Sequence, residues 1–359
     1  MANTDMQQLD TLLQKIEQEQ EGFTYDRTAI EEEAAQGGSV LKKLPIKILT
    51  ILGGFLATGT FMGFFLAAGI YESGVGLLFL GLCLLVGAEL LIRAKMDSTS
   101  DSIGVSLNIT GYVLFAMGTG LLTESTSAVA GALALASVLV AIISRSSICV
   151  FISILVLNGS FLALIFTNKL YDLSHALIAV LGVVLTYMSL SEPKLLAASP
   201  EKASLKYGPV RMGVIFSLVI TLALFVHQKF LSTTIEHFWV SSLLLMGCLL
   251  LQVHHVVKDA AITAGKTKAV VYSCCILVLI PTVLTPSIPG ALLILLTSFY
   301  IGHRPGFWVG LLALAYFVIL YYYDLNMTLL AKSGVLVASG LLFLGSFVLL
   351  NKQLRSYAD

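Results

Sequence analysis

The chain has 359 residues, of which 57% are hydrophobic and only 12% charged, and its 21 basic and 21 acidic side chains cancel to a formal charge of zero. An average soluble chain carries about 25% charged residues, so a water-soluble fold of this length has no way to hide the apolar surface, and lipid must solvate most of the chain. The neutral balance leaves no basic footprint for nucleic acid.

The first 40 residues carry nine acids against only Lys15 and Arg27. Leu9, Leu12, Leu13 and Ile16 repeat at i, i+3, i+4 and i+7, which predicts a helix with one apolar stripe. Thr28 and Glu31 have capping-box spacing ahead of a second helix over 30–36, and Gly37 and Gly38 supply its stop. Residues 1–43 are therefore expected to form a cytoplasmic acidic helical segment, docked on its own membrane domain, on a sister copy or on a protein partner. A disordered acidic tail is the alternative. So polar a start shows no cleavable signal peptide, and the first apolar run is expected to act as the targeting signal.

Residues 44–351 then read as a transmembrane helical domain, with 352–359 as a short cytoplasmic tail. Apolar runs fall at 46–70, 74–92, 103–122, 128–143, 148–166, 175–190, 210–226, 238–256, 269–284, 287–302, 306–322 and 333–350. They are continuously apolar and near the roughly 20 residues that span hydrocarbon as helix, whereas barrel strands alternate. The expected fold is an all-α polytopic membrane bundle of about 12 transmembrane helices. With the N-terminus placed in the cytoplasm, only Lys169, Lys229 and Lys332 of the 21 basic residues fall on the outer side. That asymmetry predicts both termini in the cytoplasm and an even number of crossings. Trp239, Trp308 and Tyr321 to Tyr323 fall at span boundaries, where amphipathic rings are favoured.

Two features of this layout stay open. The runs at 269–284 and 287–302 have 16 residues each and are interrupted by Pro281, Pro286 and Pro289. Each reaches about 24 Å as helix against a hydrocarbon core of about 30 Å, so they make either two thinned spans or one re-entrant hairpin, leaving ten full spans. The longest cytoplasmic loop, Ser191 to Pro209, divides six runs from six, a layout shared by carriers built of repeated halves, although no internal similarity accompanies it.

Glu89 is the acid placed inside a span, and Arg93 follows four residues later in the favourable orientation for a helical ion pair. It reads either as a paired interface residue or as a proton or ligand site. Asn108 and Asn158 are mid-span polar residues, suited either to bonding across helices or to lining a polar path. Gly59, Gly63 and Ala67 form a small-residue stripe on which another helix could approach. His254 and His255 are adjacent, point in different directions on a helix and so suit headgroups better than a metal. The five cysteines have no zinc-like spacing and read as packing residues. The outer turn holding Tyr321, Tyr322, Tyr323, Asp324, Thr328 and Lys332 offers an outward-facing site, or else helix capping and interfacial anchoring.

Two stretches carry a resemblance. One is LPIKILTILGGFLATGTFMGFF with the acidic Asp97 and Asp101 stretch and IGVSLNITGYVLF, and the other is IGHRPGFWVGLLALAYFVILYYYDLNMTLLAKSGVLVASGLLFLG. On these the chain resembles a family of bacterial polytopic inner-membrane proteins defined only as a domain of unknown function. The resemblance implies a bacterial inner-membrane location and many helices, and brings no activity, substrate or catalytic residue with it.

No zinc HExxH site, paired-carboxylate protease or G-x-S-x-G elbow is visible, so a non-enzymatic protein without metal or cofactor is expected. The first expectation is a multi-pass component that acts through protein or lipid partners. The alternative is a transporter or channel for a neutral or amphipathic solute, which requires Glu89, Asn108 and Asn158 to face one cavity.

Overall fold

The computed structural model describes residues 72–94, 98–198, 200–227, 235–260 and 265–324, with isolated positions between 56 and 69 and between 333 and 348. The segment 1–43, the tail 352–359 and most of the runs 46–70 and 333–350 lie outside the described residues, so the expectations placed there are not addressed. Among the described residues every regular element is helical. In chain order these are α1 (Gly74–Ala94), α2 (Ser98–Thr123), α3 (Thr126–Ile143), α4 (Ser147–Thr167), α5 (Leu173–Ala198), α6 (Pro200–Val226), α7 (Phe238–Asp259), α8 (Gly265–Leu279), α9 (Ser287–Tyr300) and α10 (Arg304–Asp324). A 3₁₀ turn at Ile280–Thr282 extends α8. Eight of the helices are long and apolar enough to cross a membrane, and α8 and α9 are the shorter pair. The chain is a helical membrane bundle, and each predicted run from 74 to 322 has its helix.

Side-chain caps set several boundaries. Ser73 Oγ accepts from Gly76 N at 3.1 Å, Ser125 Oγ from Ala128 N at 3.4 Å and Ser146 Oγ from Cys149 N at 3.5 Å, relieving donors that a helix start leaves unpaired. The predicted loop Ser191 to Pro209 is not a loop. Helix α5 continues to Ala198 and α6 begins at Pro200. With 26 and 27 residues these helices reach about 40 Å, longer than a hydrocarbon core of about 30 Å. The sequence signal for this boundary is Ser199-Pro200, a residue type favoured at helix caps followed by the residue type favoured at the first helical position.

The connections alternate between two ends of the bundle. One, here the basic end, holds Arg93, Arg145, Lys206, Arg211, Lys258 and Arg304, while Lys169 lies at the opposite end. The turn between α8 and α9 belongs to the opposite end: Leu284, Thr285, Pro286 and Ser287 wall a cavity of about 120 Å³ together with Phe225, Val226, Phe238 and Tyr321, which close α6, open α7 and close α10. The α8–α9 pair thus reaches the level at which the long helices end. Its short helices are extended by the 3₁₀ turn rather than by more α-helix.

Packing divides into two parts. Helices α1 and α2 form a tight antiparallel pair through small residues spaced by seven: Gly74, Gly81 and Ala88 on one, Gly104, Gly111 and Gly118 on the other. A Cβ at Gly118 would lie 2.3 Å from Leu78 N and one at Gly81 2.5 Å from Phe115 N, so backbone meets backbone. The main core joins α5, α6, α7, α9 and α10 through Ile178, Leu218, Leu222, Leu245, Leu293, Ile294 and Phe317. Helix α4 links the two parts, meeting α2 where Tyr112 Oη and Ser153 Oγ lie 3.0 Å apart and α6 where Asn158 is bonded.

Candidate functional site

Helices α1 and α3 part at the basic end to leave a groove of about 350 Å³. Leu82, Leu85, Val86 and Leu90 of α1 form one wall, and Ala136, Leu139, Val140 and Ile143 of α3 form the other. Glu89, Arg93 and Ser144 complete its basic end. The predicted helical ion pair is present, with Arg93 Nε donating to Glu89 Oε1 at 2.8 Å. Arg93 also reaches across the groove, where its Nη2 donates to Ile143 O at 3.0 Å. From α6, Lys206 Nζ donates to Ala141 O at 3.1 Å and also to Ile142 O. Two cations from different helices therefore occupy three successive carbonyls at the end of α3, where the helix leaves its acceptors unpaired and its dipole negative.

Asn158 lies elsewhere, buried between α4 and α6. Its Nδ2 donates to Thr221 Oγ1 at 3.3 Å and Ser217 O at 3.4 Å, while its Oδ1 and Ser217 Oγ are buried without a partner. Asn108 is buried on α2 with Oδ1 unpartnered. Helices α2 and α4 both start at the basic end, and the Tyr112 to Ser153 bond fixes their register. Asn108 stands four residues before Tyr112 and Asn158 five after Ser153, a separation of about 13 Å along the axes. Glu89, Asn108 and Asn158 are thus in three different surroundings. Of the outer turn, Tyr321 walls the cavity beside the α8–α9 connection and Tyr322 and Tyr323 stack edge to face with centroids 5.8 Å apart. Asp324 ends α10, its side chain lying outside the described ones, as do Thr328 and Lys332. His254 and His255 find protein partners rather than headgroups alone: Nδ1 of the first is 2.9 Å from Tyr272 Oη, and that of the second 3.0 Å from Leu251 O.

Two polar clusters in the main core were not singled out from the sequence. At the opposite end His175 is buried, with Nε2 2.8 Å from Glu236 O and Nδ1 2.6 Å from Ser241 Oγ. A carbonyl only accepts, so Nε2 carries the proton and in the neutral ring Ser241 donates to Nδ1. At the basic end Arg211, only 8% exposed, donates from Nη1 to Glu192 Oε1 at 3.3 Å and stacks on Tyr207, whose hydroxyl donates to Met188 O at 2.7 Å. Gln252 Nε2 donates to Ser189 Oγ at 3.0 Å, one turn before Glu192 on α5. Burial, reinforced by the Arg211 charge, pushes His303 down to about 4, and the neutral ring accepts from Gly306 N at 3.1 Å.

The family model for a domain of unknown function, DUF4401, matches residues 43–353. The chain belongs to that family. The matched region contains every described helix, so the α1–α3 groove and both polar clusters fall within the family domain, and residues 1–42 fall outside it. No curated protein and no solved structure matches the chain. The residues that the sequence offered as one intramembrane site are split by the fold into a groove pair, Glu89 with Arg93, and two separate asparagines. The Arg211 cluster escaped notice because Glu192 fell in the expected loop, where a charge needs no partner.

Proposed function

We propose that this DUF4401 protein is a non-enzymatic integral membrane component that acts through partners contacted by its helices. One observation carries the reading: among the described residues Glu89, Asn108 and Asn158 lie in separate surroundings and do not gather around one path. Asn158 ties α4 to α6, Gln252 ties α7 to α5, and Glu89 is neutralised by Arg93. A transporter would need such groups to converge on a shared cavity near the midplane. The location that goes with this reading is a bacterial inner membrane, with twelve crossings and both termini cytoplasmic. The clustering of bases at one end and the position of the α8–α9 turn at the other support it.

The test has two arms. Chemical crosslinking in native membranes followed by purification of the tagged full chain is expected to yield a reproducible protein or lipid component in stoichiometric amount. The protein reconstituted in liposomes is expected to leave the uptake of neutral and amphipathic solutes at the level of empty vesicles. Uptake that requires the protein and is lost in Asn158→Leu would overturn the proposal.

A further inference from the structure

We propose that the groove between α1 and α3 holds one chain of an anionic phospholipid, with the headgroup phosphate at Arg93 and Lys206. This goes beyond the function proposed above and does not depend on it. The depth of the groove matches one leaflet. From Leu82 to Arg93 α1 rises about 16 Å, and half of a hydrocarbon core of about 30 Å is about 15 Å. Leu82 stands near the middle of α1 and Arg93 in its last turn, so the groove opens at the bilayer boundary and closes near the midplane. Val86, Leu90 and Leu139 are exposed, which leaves the walls open to lipid along their length.

Charge selects the headgroup. Among the described residues, the cations beside the groove are Arg93, Lys206 and Arg145, the last exposed two residues beyond Ile143. The described acids there are Glu89 and Asp101, so the formal balance of the described groups is positive. The carbonyls at the end of α3 hold both Arg93 and Lys206 in place, which lowers the entropy lost when a phosphate docks. Arg93 keeps 42% of its side chain exposed while doing so. A guanidinium fixed at the rim of an apolar slot suits a phosphate oxygen, and a zwitterionic headgroup, its charge already balanced, answers the net charge less well.

Native mass spectrometry of the full chain in detergent, given dioleoyl phosphatidylglycerol or dioleoyl phosphatidylcholine, tests the site. The phosphatidylglycerol adduct is expected at about tenfold lower lipid concentration, the worth of one hydrogen bond to a charged group. Leu139→Trp, which fills the groove, is expected to abolish that preference. Val138→Trp, equally on α3 but outside the groove, is expected to keep it, and matched melting temperatures of the two variants exclude unfolding as the cause. Arg93→Gln, which retains donors without charge, is expected to bring the two lipids to parity. Equal retention of both lipids by the wild type, or a preference that survives Leu139→Trp, would refute the site.

Discussion

Whether a polar side chain is a site or a tie depends on its partners, and His303 shows how strongly position acts on one residue. It stands outside the spans, in the turn that leads into α10, and burial with the Arg211 charge keeps its ring neutral down to about 4, against 6.5 in the unfolded chain. The unfolded chain binds more protons between these values, so the stability contributed by the neutral ring is fully present above pH 6.5 and is lost as pH falls toward 4. The melting temperature in detergent is therefore expected to fall over that window. His303→Gln keeps an acceptor for Gly306 N and does not titrate, and it should show a shallower fall; equal slopes for both proteins would remove His303 from the account. The sequence alone marked neither His303 nor His175, because histidine titration and tautomer follow from neighbours contributed by other helices.

At the scale of the helix, close approach is decided by what stands opposite. Of the stripe Gly59, Gly63 and Ala67 only the two glycines are described, and a Cβ on either would meet nothing within 4 Å among the described residues. Glycines of α1 and α2 spaced by seven do meet a neighbouring helix, as do Gly213, Gly290 and Gly310 in the main bundle, and the α2 pattern is legible in the sequence as Gly104, Gly111 and Gly118. Spacing states that a helix can approach and leaves open whether one does. Gly118→Ala forces a methyl against Leu78 N and is expected to cost about 1–3 kcal/mol, the usual penalty for overpacking. Gly87→Ala, on the open side of α1, has nothing to meet and is expected to be neutral or stabilising through helix propensity. Thermal denaturation in detergent distinguishes them, and equal melting temperatures would mean that the α1–α2 contact is looser than described.

For the molecule as a whole, the Arg211 and Glu192 pair holds the main core together at the basic end, joining α6 to α5 beside the turn into α10. Arg211→Met removes one partner and leaves the other partly buried and uncompensated, a loss expected to be about 3 kcal/mol. The double variant Arg211→Met with Glu192→Gln removes both charges and should recover much of the stability. A double variant no more stable than the single one, by chemical denaturation, would show that the pair contributes through packing alone.

The amino-acid sequence by itself determined that the chain is helical and lives in lipid, since uninterrupted apolar runs can satisfy their backbone there only as helices. It also gave each described helix its apolar run, although it stopped α5 eight residues short and started α6 ten residues late, put most bases at one end and supplied the Glu89–Arg93 pair, which needs only a four-residue spacing on one helix. Tertiary structure alone decided that Glu192 is a partly buried partner of Arg211 rather than a loop charge, that the α8–α9 turn reaches the far end, and that α1 and α3 part to leave a groove. These depend on which helix faces which. In a chain apolar on nearly every face, hydrophobic periodicity does not specify that choice; it is made by small residues in register and by a few polar ties between helices.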